Sequence, residues 1–249
     1  MALPALTLVV PGSRVIPPDD AETVLRGLYA HDPGVLRVNM VATVDGAAWG
    51  PDHLSGSIND DADFRVFRVL RALADVVVVG AGTARAERYS VLDRPEGLDG
   101  WRDAPLALAL VTRRGEVPSA LAGGDRQPYV VTGERGAAAA RAELPADRVV
   151  VAPGPAGGVD LAAGMAELAA RAGSRLLCEG GPHLLADLLA ADLVDELCVT
   201  TAPLLMGAGP GRIAAGGGVG EPSAHPARLA HLLHDPAGQT LAARWVLDR

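Results

Sequence analysis

The strongest constraint on the fold is a repeated alternation, in which short apolar runs ending at glycine, proline or a charged residue are each followed by a stretch with helical spacing. "DVVVVG", "LALALVT", "PYVVTG", "DRVVVAP" and "RLLCE" are β-branched or continuously apolar, as strands buried on both faces are. Leu36 to Thr43 joins them. Helices are expected over Ala21 to Ala30, Gly136 to Glu143, and Asp160 to Ala172, the last closed by Gly173. In "INDDADFRVFRVLRALA" the apolar Phe64, Phe67, Leu70 and Leu73 recur at three-residue steps. Asn59 is placed there as N-cap, with acidic residues in the first turn. This order predicts an α/β fold with a mainly parallel central sheet and helices on both faces. Beyond it, "VDELCVTTAPLLMG" reads as a long or broken strand and Gly207 to Gly220 as a loop. Leu229 to Leu233 and Thr240 to Leu247 flank the turn residues "HDPAG" as a C-terminal antiparallel hairpin.

With 249 residues, 49% of them apolar, the chain can build one large core. A single domain over 1–249 is expected, with 1–34 as an N-terminal extension packed on it. No apolar run approaches the ~20 residues of a membrane span, and residues 1–30 lack a signal-peptide pattern, so a soluble cytoplasmic protein is expected. Cys178 and Cys198 lie in apolar strand-like runs and suit buried structural roles rather than a disulfide or metal framework. All 22 cationic side chains are arginine. The absence of lysine excludes both a Schiff base to pyridoxal phosphate and a Walker-type phosphate loop. A formal net charge of −8 argues against a nucleic-acid surface but leaves room for an anionic small ligand held by a few arginines and helix ends.

Two motifs point to such a ligand. In "RLLCEGGPHLLADLLA" a strand ends at Glu179, a Gly180-Gly181 turn follows, and a helix begins with Pro182, where the missing N–H costs nothing. Its first-turn amides and dipole would favour a phosphate. The alternative is a turn that simply needs positive φ at Gly180 or Gly181. "ADVVVVGAGTARAERY" likewise ends a strand in a turn, with Gly80 and Gly82 followed by the Thr83 hydroxyl and by Arg85 and Arg88. Arg85 stands at the third glycine position, so the ordinary dinucleotide fingerprint does not apply.

"VNMVATVDG", "LSGSINDDADFRVFRVLRALADVVVVGAGTARAE", "LVTRRG" and "LLCEGGPHLLADLLAADLVDELCVTTAPLLMG", in this order over roughly 36 to 212, resemble the pyrimidine reductases of riboflavin biosynthesis. The resemblance implies a dihydrofolate reductase-like three-layer fold, a homodimer, and NADPH-dependent reduction of 5-amino-6-(5-phosphoribosylamino)uracil at C1 of its ribose. The zinc deaminase signature that precedes this domain in two-activity relatives is missing.

By the same matching, Val41 would meet the nicotinamide amide through its backbone. Ser57, Gly80, Gly82, Thr83 and the turn Gly180, Gly181, Pro182, His183 and Leu184 would hold ribose and pyrophosphate, with Thr112 and Arg113 toward the adenosine end. The substrate would meet Ser55, Arg71, Val91, Arg94 and Glu179. Glu87 and Asp45 are the nominated catalytic acids, with Glu179 a third carboxylate in reach. No metal is expected. A reductase of the same fold acting on dihydrofolate or another pterin, and a catalytically inactive nucleotide-binding regulator, are the alternatives.

Overall fold

The computed structural model describes residues 3–216 and 224–248. Its strands are β1 (Leu6–Val10), β2 (Arg14–Ile16), β3 (Leu36–Thr43), β4 (Val76–Gly80), β5 (Ala107–Val111), β6 (Tyr129–Thr132), β7 (Val149–Val151), β8 (Leu176–Cys178), β9 (Glu196–Ala202), β10 (Ala227–His234) and β11 (Leu241–Leu247). The helices are α1 (Thr23–Leu28), α2 (Asp61–Leu73), α3 (Ala81–Ala86), α4 (Ser119–Ala122), α5 (Glu134–Glu143), α6 (Leu161–Ala172) and α7 (Pro182–Ala190). All strands form one sheet in the order β2-β1-β10-β11-β9-β3-β8-β4-β5-β6-β7. From β9 to β7 neighbouring strands run parallel, and the C-terminal hairpin β10-β11 adds antiparallel strands as expected.

Side chains alternate along each strand and so supply two apolar layers. On β4, Val77 and Val79 face the layer under α1, α2 and α5, whereas Val76 and Val78 face the layer under α6 and α7. Leu110 and Ala109 on β5 divide the same way. Cys178 and Cys198 are free and buried in these layers.

Three details differ from the sequence-based expectations. The N-terminal lead-in forms β1 and β2, which extend the sheet beyond β10, because β10 would otherwise present an unpaired edge. The buried guanidinium of Arg65 fastens them, donating to the carbonyls of Pro4, Ile16 and Pro17 while pairing with Glu22 at 2.6 Å. Asp60 rather than Asn59 caps α2, accepting from the Asp63 amide at 2.9 Å, because the helix starts one residue later. Its buried stripe is Ala62, Val66, Val69, Leu70 and Leu73, while Phe64 is exposed, so the three-residue spacing of the phenylalanines marked a different face. The glycine-rich loop is described up to residue 216, and the rest of the expected 207–220 loop lies outside the described residues.

Candidate functional site

The pairing of β3 with β8 ends at Val38 and Cys178, although β3 runs on to Thr43. Chain beyond these points separates and opens a cleft at the carboxyl ends of the parallel strands, where α/β sheets bind ligands. The cleft has two contiguous parts, of about 430 and 280 Å³, which share Met40, Ala48, Ser55, Glu87 and Glu179.

The smaller part lies where the two glycine turns meet. The Gly80 amide donates to the Gly180 carbonyl at 2.8 Å, which keeps the turns side by side. Gly180 has φ +82° and needs glycine for its backbone. Gly181, at φ −74°, does not; a Cβ there would stand 2.3 Å from the Thr83 hydroxyl oxygen. Gly181, Gly82 and Thr83 all line this part, and a Cβ on Gly82 would meet nothing within 4 Å. No side chain caps α7, so the amides at its start stay available. Open space at Gly82 beside an uncapped nine-residue helix fits an extended phosphorylated ligand such as NADPH.

The remaining cofactor candidates are placed unevenly. Pro182 lines the smaller part; His183 is exposed, and buried Leu184 packs into the core below it. Val41 lines the larger part. Ser57 is exposed and donates to Asp52 and the Leu54 carbonyl. Thr112 is buried, its hydroxyl oxygen accepting the amides of Arg114 and Gly115 at 3.2 Å each. Arg113 emerges exposed from the end of β5 and reaches Asp187 on α7 at 3.4 Å, which brings it beside the helix that starts at the glycine turn.

The larger part is built on α2. Arg71 donates from Nε and Nη2 to the two oxygens of Glu179, each at 2.7 Å, and the Tyr89 hydroxyl donates to Glu179 at 2.6 Å. The Arg71 guanidinium also lies 4.1 Å from the Phe67 ring centroid and 5.7 Å from that of Tyr89. Burial opposes its charge, but Glu179 and Tyr89 outweigh burial and hold its pKa above the ordinary arginine value. Burial, then the Glu179 charge, pushes the Tyr89 phenol well up, so it remains a neutral donor. Glu87 accepts from both the amide and the hydroxyl of Ser55 at 2.9 Å through Oε1. Oε2 is thereby left to a ligand.

Three candidates lie elsewhere. Asp45 is an exposed carboxylate outside the cleft lining; it accepts from Thr43 and from the amides of Met206 and Gly207, and these bonds lower its pKa in that sense, the Thr43 contribution being largest. Arg94 closes the end of α2, donating from Nη1 to the carbonyls of Ala72 and Ala74 at 3.0 Å each. Val91 is half-buried outside the lining while Leu92 lines the cleft. Conversely, sequence reasoning did not nominate Asp63, Tyr89 or Trp49, and it noted Arg88 only as a nearby cation; all four line the cleft. Tyr89 was within reach as the hydroxyl-bearing residue two positions after Glu87.

Among the described residues no helix is long and apolar enough to cross a membrane, and no group of three His, Cys, Asp or Glu side chains could hold a metal ion.

Comparison with known proteins places this architecture. A pyrimidine reductase-like protein of Corynebacterium diphtheriae has a similar structure, with TM-score 0.74 and 24% identity over 88% of this chain and 93% of that one. The riboflavin biosynthesis reductase of Saccharomyces cerevisiae is similar over 92% of this chain and 100% of its own, with TM-score 0.60 and 14% identity. A Thermotoga maritima diaminohydroxyphosphoribosylaminopyrimidine deaminase/5-amino-6-(5-phosphoribosylamino)uracil reductase gives TM-score 0.60 and 17% identity over 87% of this chain, which spans only 57% of that protein. At these identities the likeness is one of fold, and it agrees with the dihydrofolate reductase-like α/β architecture expected from the sequence. No curated protein sequence matches the chain. The RibD C-terminal domain model matches residues 35–238, which include both glycine turns and the whole cleft, and the chain belongs to that family.

Proposed function

We propose that this protein is an NADPH-dependent pyrimidine reductase that acts on 5-amino-6-(5-phosphoribosylamino)uracil. The observation that carries the proposal is the continuity of the cleft: a phosphate-type double glycine turn and a larger compartment bearing Arg71, Glu87 and Arg88 share Met40, Glu87 and Glu179. Gly82, Thr83, Gly181 and the first amides of α7 would hold the pyrophosphate, with Arg113 toward the adenosine 2′-phosphate. When bound, NADPH supplies a hydride from C4 of its nicotinamide.

The protein's own part is placement and proton handling. Glu179 is neutralised by Arg71 and Tyr89 and therefore serves as a fixed wall between the two compartments. Asp45 is exposed and outside the cleft, so Glu87 is assigned the proton, exchanged at Oε2 with the substrate's ribose. Arg94 is occupied by helix carbonyls, and Arg71 by Glu179. Arg88, which lines the larger compartment and is exposed, is the arginine assigned to the substrate phosphate. The test is NADPH oxidation with the ribosylaminouracil, phosphorylated and dephosphorylated, beside dihydrofolate. Turnover of the phosphorylated uracil supports the proposal; turnover of dihydrofolate alone, or of none, refutes it.

A further inference from the structure

The adenosine end of the proposed cofactor site carries both signs of charge. Arg113, at the end of β5, ends 3.4 Å from the carboxylate of Asp187 on α7. Arg85, on the helix that follows the other glycine turn, is likewise met by Glu116 at 3.5 Å. The Arg113 side chain is 76% exposed and that of Asp187 41%. An ion pair so exposed contributes little to stability, so the fold itself gives no reason for an acid at this place.

Its position gives Asp187 a use. The helix α7 starts at the turn assigned to the pyrophosphate, and Asp187 lies about 7.5 Å farther along its axis than Pro182. A dinucleotide held at that turn and running toward the end of β5 would set its adenosine ribose beside both Arg113 and Asp187. The two side chains select different sugars. A guanidinium binds a 2′-phosphate, whereas a carboxylate accepts a hydrogen bond from a free 2′-hydroxyl and repels a phosphate. At about 6 Å, even with the dielectric constant of water, one pair of like unit charges weakens binding about threefold. A phosphate carries nearly two negative charges, so Asp187 opposes NADPH by up to about tenfold and occupies its guanidinium as well.

We infer that Asp187 is a specificity-determining residue at the adenosine end and that it admits NADH as a second hydride donor beside NADPH. Arg113 takes the 2′-phosphate when NADPH binds, and Asp187 takes the 2′-hydroxyl when NADH binds. The inference rests on the reading of the cleft as a dinucleotide site, and it adds which dinucleotides that site accepts.

The experiment is calorimetric titration of the whole protein, native, Asp187→Asn and Arg113→Ala, with NADPH and NADH and with two fragments, adenosine 2′,5′-bisphosphate and AMP. The fragments carry only the adenosine end and keep the measurement independent of turnover. The native protein should bind NADH within about tenfold of NADPH. Asp187→Asn should bind NADPH and the bisphosphate at least about threefold more tightly, and NADH and AMP at least about threefold less tightly. Arg113→Ala should weaken only the two 2′-phosphorylated ligands. An unchanged ratio of NADPH to NADH affinity in Asp187→Asn, or weaker NADPH binding there, overturns the inference. If the ratio is unchanged in Arg113→Ala as well, the adenosine end lies elsewhere and the proposed cofactor placement falls with it. An Asp187-dependent shift without reduction of the ribosylaminouracil supports the inference and overturns the proposed reaction alone. Should Asp187→Asn fail to fold, a native preference for NADPH beyond about a hundredfold would still refute the inference.

Discussion

Replacing Gly181 by alanine isolates the contact on which the double glycine turn depends. The backbone of Gly181, at φ −74°, accepts any L-residue, so strain is not the expected source of damage. The new Cβ would lie 2.3 Å from Thr83 Oγ1, about 1.1 Å closer than the 3.4 Å at which an ordinary contact begins. Thr83 is short and sits in α3, so it has little room to give. Overpacking of this kind costs about 1–3 kcal/mol. For a chain of this length each kcal/mol lowers the melting temperature by about 2–4 °C, so a loss of about 4–8 °C is the central expectation. In a Thr83→Ala background the nearest Thr83 atom left is Cβ at 3.6 Å, and Gly181→Ala should become nearly neutral. The double-mutant cycle should therefore show a coupling of about 1–3 kcal/mol. Urea unfolding of the four proteins measures it, and NADPH titration on the same samples reads the effect on the cofactor. Strict additivity of the two substitutions would refute the close-approach account and leave the glycine to another cause.

Arg113→Ala should weaken NADPH binding by about 1.5–3 kcal/mol and leave NADH nearly unchanged, as titration of both cofactors would reveal; equal losses would move recognition of the 2′-phosphate to Arg114 or Arg135. Glu179→Gln keeps one acceptor but leaves Arg71 uncompensated and half-buried, so stability should fall by about 2–4 kcal/mol and substrate KM should rise more than NADPH affinity changes, checked by urea unfolding and initial rates. Arg94→Ala should lower the melting temperature, because it uncaps α2, while KM for the phosphorylated substrate stays within about twofold. His31 and His231 have pKa values lowered to about 4, in each case chiefly by burial. The unfolded chain therefore binds more protons between pH 6.5 and 4, and stability should decline as pH falls through that window, less steeply in His231→Phe, as equilibrium unfolding at stepped pH would show.

The sequence by itself determined the parallel core, because strands buried on both faces cannot hide: β4, β5, β6 and β8 are continuous apolar runs, and helical spacing between them leaves one class of architecture. It also determined the Gly180-Gly181 turn, since adjacent glycines between a strand and a proline-started helix are local chemistry. Tertiary structure decided what each polar side chain faces. Arg71, Arg94 and Arg113 look alike in sequence, yet one closes an ion pair inside the cleft, one caps a helix and one stands in solvent. Asp63 passes in sequence for an ordinary first-turn acid on α2, and it becomes a cleft carboxylate only because β9 and β3 pack against that turn. The lead-in strands β1 and β2 were equally hidden, because β2 pairs with β1, and β1 in turn with β10, more than two hundred residues away along the chain. Local periodicity reports which face of an element is apolar; only the packed neighbours determine whether a charge meets water, a partner or a ligand.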